Sequence, residues 1–95
     1  MNVAQHRGEG KLVLVITDSN LQKTVCEEGN TRLDFTSAFY KGNELLEKDI
    51  VPLLDQAAII HAAGKETLLF LKKNGYPVEG ARTVAAIPFI QIVIE

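Results

Sequence analysis

The chain is poor in the features that usually announce a function. It has one cysteine, Cys26, so an intramolecular disulfide is excluded. Its two histidines, His6 and His61, lie too far from Cys26 and from each other for zinc-ligand spacing. Cys26 therefore reads as a small apolar residue of the interior. Tryptophan is absent and aromatic residues make up 6% of the chain, so the core has to be aliphatic. Charge of one sign is lacking too. The 10 Lys and Arg against 12 Asp and Glu leave a formal charge of −2, which excludes coating of nucleic acid by bulk electrostatics. No apolar stretch follows a basic N-terminal region, and the run at residues 12–16 is far too short to span a bilayer. A cytoplasmic protein without membrane association is the expectation.

Catalytic signatures are missing as well. There is no G-x-G-x-x-G, P-loop, H-E-x-x-H or C-x-x-C. Gly64-Lys65 lacks both the earlier glycine at P-loop spacing and the following Ser or Thr. Ser19, Cys26, His6 and His61 have no context that would pair a nucleophile with a base. The expectation leans away from an enzyme and names no cofactor and no metal.

What is present is ordinary globular material: 95 residues, 46% hydrophobic and 23% charged, enough for one domain and not for two cores. Residues 1–10 read as a loose arm or an edge strand ending in a turn. KLVLVIT, residues 11–17, is a nearly continuous β-branched and leucine run, the pattern of a strand covered on both faces. Asp18-Ser19-Asn20 stops it. Ser19 with Gln22 fits a capping box, predicting a short helix over residues 21–26 with Leu21 and Val25 buried. Residues 31–36 alternate, with Leu33 and Phe35 on one side, as in a half-buried strand. Residues 42–46 could add a short strand.

From Asp49, a plausible N-cap, apolar residues at Ile50, Leu53, Leu54 and Ala57 mark a helix, with Pro52 in its first turn. The stretch that organises the rest is residues 57–76, AAIIHAAGKETLLFLKKNGY. A short apolar strand meets a small-residue turn at residues 61–64. A helix follows from about Lys65 to Lys73, stopped by two lysines, Asn74-Gly75 and Pro77. The final run, residues 83–94, is read as strand, split by Pro88 or carrying it at a bulge or edge. Gln91 is its one polar side chain, expected to face solvent or to hold a buried backbone group. The predicted fold class is α+β (mixed α/β): a single-domain mixed β-sheet packed with two main helices and one short helix.

Two stretches could bind something. Phe39-Tyr40-Lys41 sets two aromatic rings and a cation in a loop, either plugging the core or offering a stacking surface to RNA. His61, Gly64 and Lys65 surround a helix start whose unpaired N–H groups could hold an anion, or else simply pack.

The order of several short matches resembles the archaeal family known as domain of unknown function 424 (DUF424). These are Leu21-x-Lys23 before Glu28-Gly29, Leu33-Asp34, Phe39-Tyr40-Lys41-Gly42 and Leu53-Leu54. Ala58-Ile59, Gly64-Lys65-Glu66 and Pro88-x-x-Gln91-Ile92-Val93 follow. In that family's pattern an asparagine stands at His61 and a histidine at Phe89. The replacement of these polar residues weakens a catalytic site more than a binding one. The resemblance implies an archaeal cytoplasmic housekeeping protein. The leading expectation is a non-enzymatic binding or adaptor module with RNA or a ribonucleoprotein as partner. The alternative is a protein or enzyme that takes a small molecule or anion at the His61–Lys65 turn. A homodimer is a further expectation, because an apolar C-terminal strand at a sheet edge invites a second copy. If that strand is central and covered, no dimer is required.

Overall fold

In KLVLVIT, Leu12, Leu14 and Ile16 point to one side and Val15 and Thr17 to the other, and all five are buried. Only a strand covered on both faces meets that condition. The computed structural model describes residues 1–94 and places this strand, β2 (Lys11–Thr17), inside a sheet of six. Its neighbours are β1 (Asn2–Gly8), antiparallel through the turn at Glu9-Gly10, and β6 (Ile59–Ala63), parallel with Val15 opposite His61. The full order is β5-β1-β2-β6-β8-β7, where β5 is Asn43–Glu44, β7 is Arg82–Val84 and β8 is Ile87–Val93. A separate hairpin joins β3 (Val25–Glu28) to β4 (Thr31–Asp34). The result is an α+β domain with a mixed sheet.

One face of the sheet carries both α-helices. Ile50 and Leu54 of α1 (Glu47–Leu54) and Leu68, Phe70 and Leu71 of α2 (Lys65–Lys73) pack with Leu12, Leu14, Ile16, Ile60 and Ala62. α2 ends as its sequence predicts. Gly75, at φ +89°, lets the Tyr76 N–H reach the Leu71 carbonyl and its own N–H reach Lys72, the Schellman pattern. The other face meets a smaller cluster of Leu21, Phe35 and Ala63, with Leu33, Tyr40 and Phe89 against it.

Several local expectations are corrected. Of the two readings of residues 1–10, the loose arm gives way to the strand ending in a turn, next to the sheet edge: β1 is paired along its length and buries Asn2, Val3 and Ala4. The short helix is the 3₁₀ turn η1 (Ser19–Leu21), after which the chain extends into β3. Leu21 is buried but Val25 is exposed, and half-buried Cys26 lies on a strand. The capping box does not form, because the Ser19 hydroxyl donates to Glu44 at 2.7 Å. α1 starts before Asp49, which places Pro52 well inside the helix. The split in the last apolar run falls at Ala85-Ala86, both with positive φ, and not at Pro88. Pro88 fits within β8 because the carbonyl that its missing N–H would seek, that of Gly64, already accepts from Leu68 in α2.

Candidate functional site

The two stretches singled out in the sequence part company and recombine. β6 continues through His61 to Ala63, so the expected turn shrinks to Gly64 alone. Along a strand, side chains alternate. His61 therefore shares a face with Ala63 and turns away from the helices, while Gly64 and Lys65 begin α2.

At that helix start the anion position is already filled. The Asp18 carboxylate, buried just beyond the end of β2, accepts from the backbone N–H of Glu66 at 3.1 Å and Thr67 at 2.8 Å. It also accepts from the Thr67 hydroxyl at 2.7 Å. Gly64 is required there. Its φ is +109°, and a Cβ would stand 2.1 Å from the Asp18 carboxyl carbon. An external anion at residues 61–65 would have to displace this carboxylate, so the geometry speaks against that use of Gly64 and Lys65. Both residues line a separate hollow of about 260 Å³, with Asp18 and the Ala85-Ala86 turn on its walls. Asp18 itself escapes sequence reasoning, because its partners lie nearly fifty residues away and no local pattern links them.

His61 instead meets the aromatic loop. The 3₁₀ turn η2 (Ala38–Tyr40) lies across the second face of the sheet. Gly42 permits this approach, since a Cβ there would stand 1.9 Å from the Val3 carbonyl oxygen. Side chains of β1 hold the turn down. Buried Asn2 donates to the Tyr40 carbonyl at 2.6 Å, and His6 Nε2 lies 2.9 Å from the Phe39 carbonyl. The His6 ring stacks on Phe39 at 5.0 Å, and the Phe39 and His61 rings meet perpendicular to each other at 5.2 Å. Phe39 is thus engaged within the protein. Lys41 is exposed and does not line the hollow described next.

Beneath η2 is a hollow of about 240 Å³, walled by side chains from β2, β4, β6, β8 and η2. Thr17, Leu33, Tyr40, His61, Phe89 and Gln91 line it. Gln91 sits directly opposite His61 in the β6–β8 register, and Phe89 opposite Ala63. Among the described residues, the Tyr40 hydroxyl, both His61 ring nitrogens and the Gln91 amide make no hydrogen bond within the protein. Burial pushes the His61 imidazole below its ordinary value of 6.5, so it is neutral at pH 7. Burial, reinforced by the Asp34 carboxylate, pushes the Tyr40 phenol above 10.0. No Lys or Arg lines the hollow. It offers neutral donors and acceptors against apolar walls.

The sequence named Tyr40, His61 and Gln91 without connecting them, singled out Phe89 beside His61 only through the family pattern, and missed Thr17 and Leu33. Those two read as strand positions, and only the packing of β2, β4 and η2 around the β6–β8 pair brings them beside polar groups. A larger hollow lies elsewhere, about 520 Å³ between β5 and the helices, with Lys73 and Glu47 paired at 3.0 Å on its rim. None of the candidate binding residues named from the sequence lines it. Among the described residues there is no cluster of metal-ligating side chains, and no helix is long and apolar enough to cross a membrane.

No family model matches the chain, and no curated protein does. Among solved structures, the crystal structure of an uncharacterized conserved protein from Methanopyrus kandleri, an archaeon, has the same fold. The TM-score is 0.81 at 18% identity, over 98% of this chain and 90% of that one. At that identity the likeness speaks for the fold alone.

Proposed function

We propose that this chain is a non-enzymatic binding module of the archaeal cytoplasm, related to the domain of unknown function 424 family, with RNA or a ribonucleoprotein as its partner. Its recognition site is the hollow at Tyr40, His61 and Gln91. One observation carries this reading: polar groups from three separate elements, open to solvent and without a hydrogen bond to any other described residue, converge on a single hollow. Polar groups that converge in a concave, mostly apolar site are the usual mark of a ligand position. The order and spacing of short motifs favour the family assignment. The neutral lining separates this mode from a charged groove, so RNA should bind with a shallow salt dependence. Fluorescence anisotropy with single-stranded RNA, at low and moderate salt, tests the reading. The expected result is saturable binding that Tyr40→Ala weakens. If neither RNA nor a ribonucleoprotein is retained, the reading fails.

The edge of the sheet favours a second copy as an additional partner. The Gly64 N–H donates to Pro88 and the Ile94 N–H to Ala58, both at 2.8 Å. Even-numbered residues of β8 therefore turn their backbone groups toward β6 and odd-numbered ones away. β7 meets the outer edge only as far as Arg82 opposite Phe89, which leaves Gln91 and Val93 without a neighbouring strand among the described residues. Residues 90–94 are uncharged, so antiparallel pairing with a copy about a two-fold axis at Ile92 brings no like charges together. Sedimentation at micromolar concentration should show a dimer that Val93→Lys dissociates without loss of stability. A monomeric parent protein refutes the pairing.

A further inference from the structure

We infer that the hollow beneath η2 takes one uncharged, planar nitrogen heterocycle of nucleobase size, bound by its hydrogen-bonding edge. The inference rests on the binding reading above and gives it a ligand class. Size sets the first limit. Drug-sized ligands occupy roughly 300–1,000 Å³, so about 240 Å³ admits a single small ring system and leaves sugar and phosphate outside. Charge sets the second. The lining contains no Lys or Arg, and the Asp34 carboxylate is close enough to raise the Tyr40 pKa. An anionic ligand finds nothing to neutralise it there. A cationic one finds no carboxylate among the lining residues.

Hydrogen-bond chemistry sets the third limit. The Gln91 amide offers a donor and an acceptor side by side. A neutral imidazole offers one of each, and the Tyr40 hydroxyl serves as either. A hydrocarbon would leave all three unsatisfied, whereas the edge of a nucleobase alternates donors and acceptors at the same spacing as an amide. Leu33 and Phe89 supply apolar surface for the faces of the ring. The site is also held in advance. Asn2 and His6 anchor η2, and the β6–β8 register fixes His61 opposite Gln91, so little ordering is left for binding to impose.

The test is an NMR titration of the ¹⁵N-labelled full chain with the four common ribonucleosides, with toluene as an apolar control and inorganic phosphate as an anion. The expected result is saturable shifts for at least one nucleoside, confined to His61, Ala62, Ala63, Gln91 and Tyr40, with none from phosphate. Tyr40→Phe, which removes only the hydroxyl, and Gln91→Ala, a truncation at an exposed position, should each weaken binding by about three- to tenfold, the worth of one neutral hydrogen bond. Absence of shifts with every nucleoside at about 10 mM, or shifts from toluene that match those from nucleosides, overturns the inference. The two levels separate cleanly. If RNA binds while these signals stay unmoved and Gln91→Ala is silent, the ligand class fails and the binding module stands. If RNA fails to bind as well, both fall.

Discussion

Replacing Asp18 by alanine should be among the most damaging single changes in this protein, although the residue sits outside every element it stabilises. Its carboxylate accepts from two backbone N–H groups of α2 and from the Thr67 hydroxyl, and Thr67 is wholly buried. Loss of an N-cap acceptor costs about 1 kcal/mol. A buried hydroxyl left without a partner costs roughly 1–3 kcal/mol more. The total for Asp18→Ala is about 3 kcal/mol, which for a domain of this size lowers Tm by roughly 12–24 °C. Asp18→Asn keeps an acceptor and loses the charge, so about 1 kcal/mol is expected.

Gly64→Ala acts on the same contact from the other side. Its φ of +109° is a region that only glycine occupies without strain, worth about 1–3 kcal/mol, and the new Cβ would expel the carboxylate. The two losses should therefore overlap. In a double-mutant cycle the pair should fall short of additivity by about 1–2 kcal/mol. Urea unfolding followed by circular dichroism supplies all four stabilities. Asp18→Ala should also open the helix start to solvent anions, so that phosphate stabilises this variant more than the parent. A loss below about 1 kcal/mol for Asp18→Ala, or full additivity with Gly64→Ala, would refute the assignment of the cap.

Gly42→Ala should destabilise by about 2 kcal/mol or more, since its Cβ meets backbone that cannot yield. Near-ultraviolet circular dichroism should show the Tyr40 environment changed as η2 lifts from β1. Replacing Ala85-Ala86 by Asn-Gly should stabilise by about 1–2 kcal/mol, because both alanines hold positive φ in a hairpin turn that Asn-Gly adopts without strain. Thermal unfolding measures the gain. His61 gives a pH signature. Its folded pKa is depressed by burial, so its contribution is present above 6.5 and declines as pH falls through 6.5 toward the folded value. In His61→Gln this part of the slope should vanish, as read from urea midpoints between about pH 5 and 7.5. An unchanged slope would show that His61 does not titrate as described.

How much of this was legible in advance differs between elements for physical reasons. KLVLVIT could be read as a central strand because burial on both faces demands an unbroken apolar run, and the run is local. α2 was legible to the residue because its stop is written in consecutive positions, Lys72, Lys73, Asn74 and Gly75. The α+β class followed from the mixture of such segments. The boundaries that went astray were those decided by distant partners. Cys26 left its expected helix because β4 pairs with it, and His61 stayed in strand because β2 and β8 flank it on either side.

The site depended on tertiary structure almost entirely. The residue types at Tyr40, His61 and Gln91 were visible as chemistry, but their convergence required η2 to cross the sheet at Gly42 and β8 to pair with β6 in one register. A slip of one residue would have turned Gln91 to the helix face. The same distance effect hid Asp18, whose carboxylate occupies the helix start that the local pattern offered to an anion. Sequence by itself determined the local propensities and the two-sided burial of the sheet. Which polar groups remain free and which are already taken was decided only when residues nearly fifty apart came into hydrogen-bonding distance.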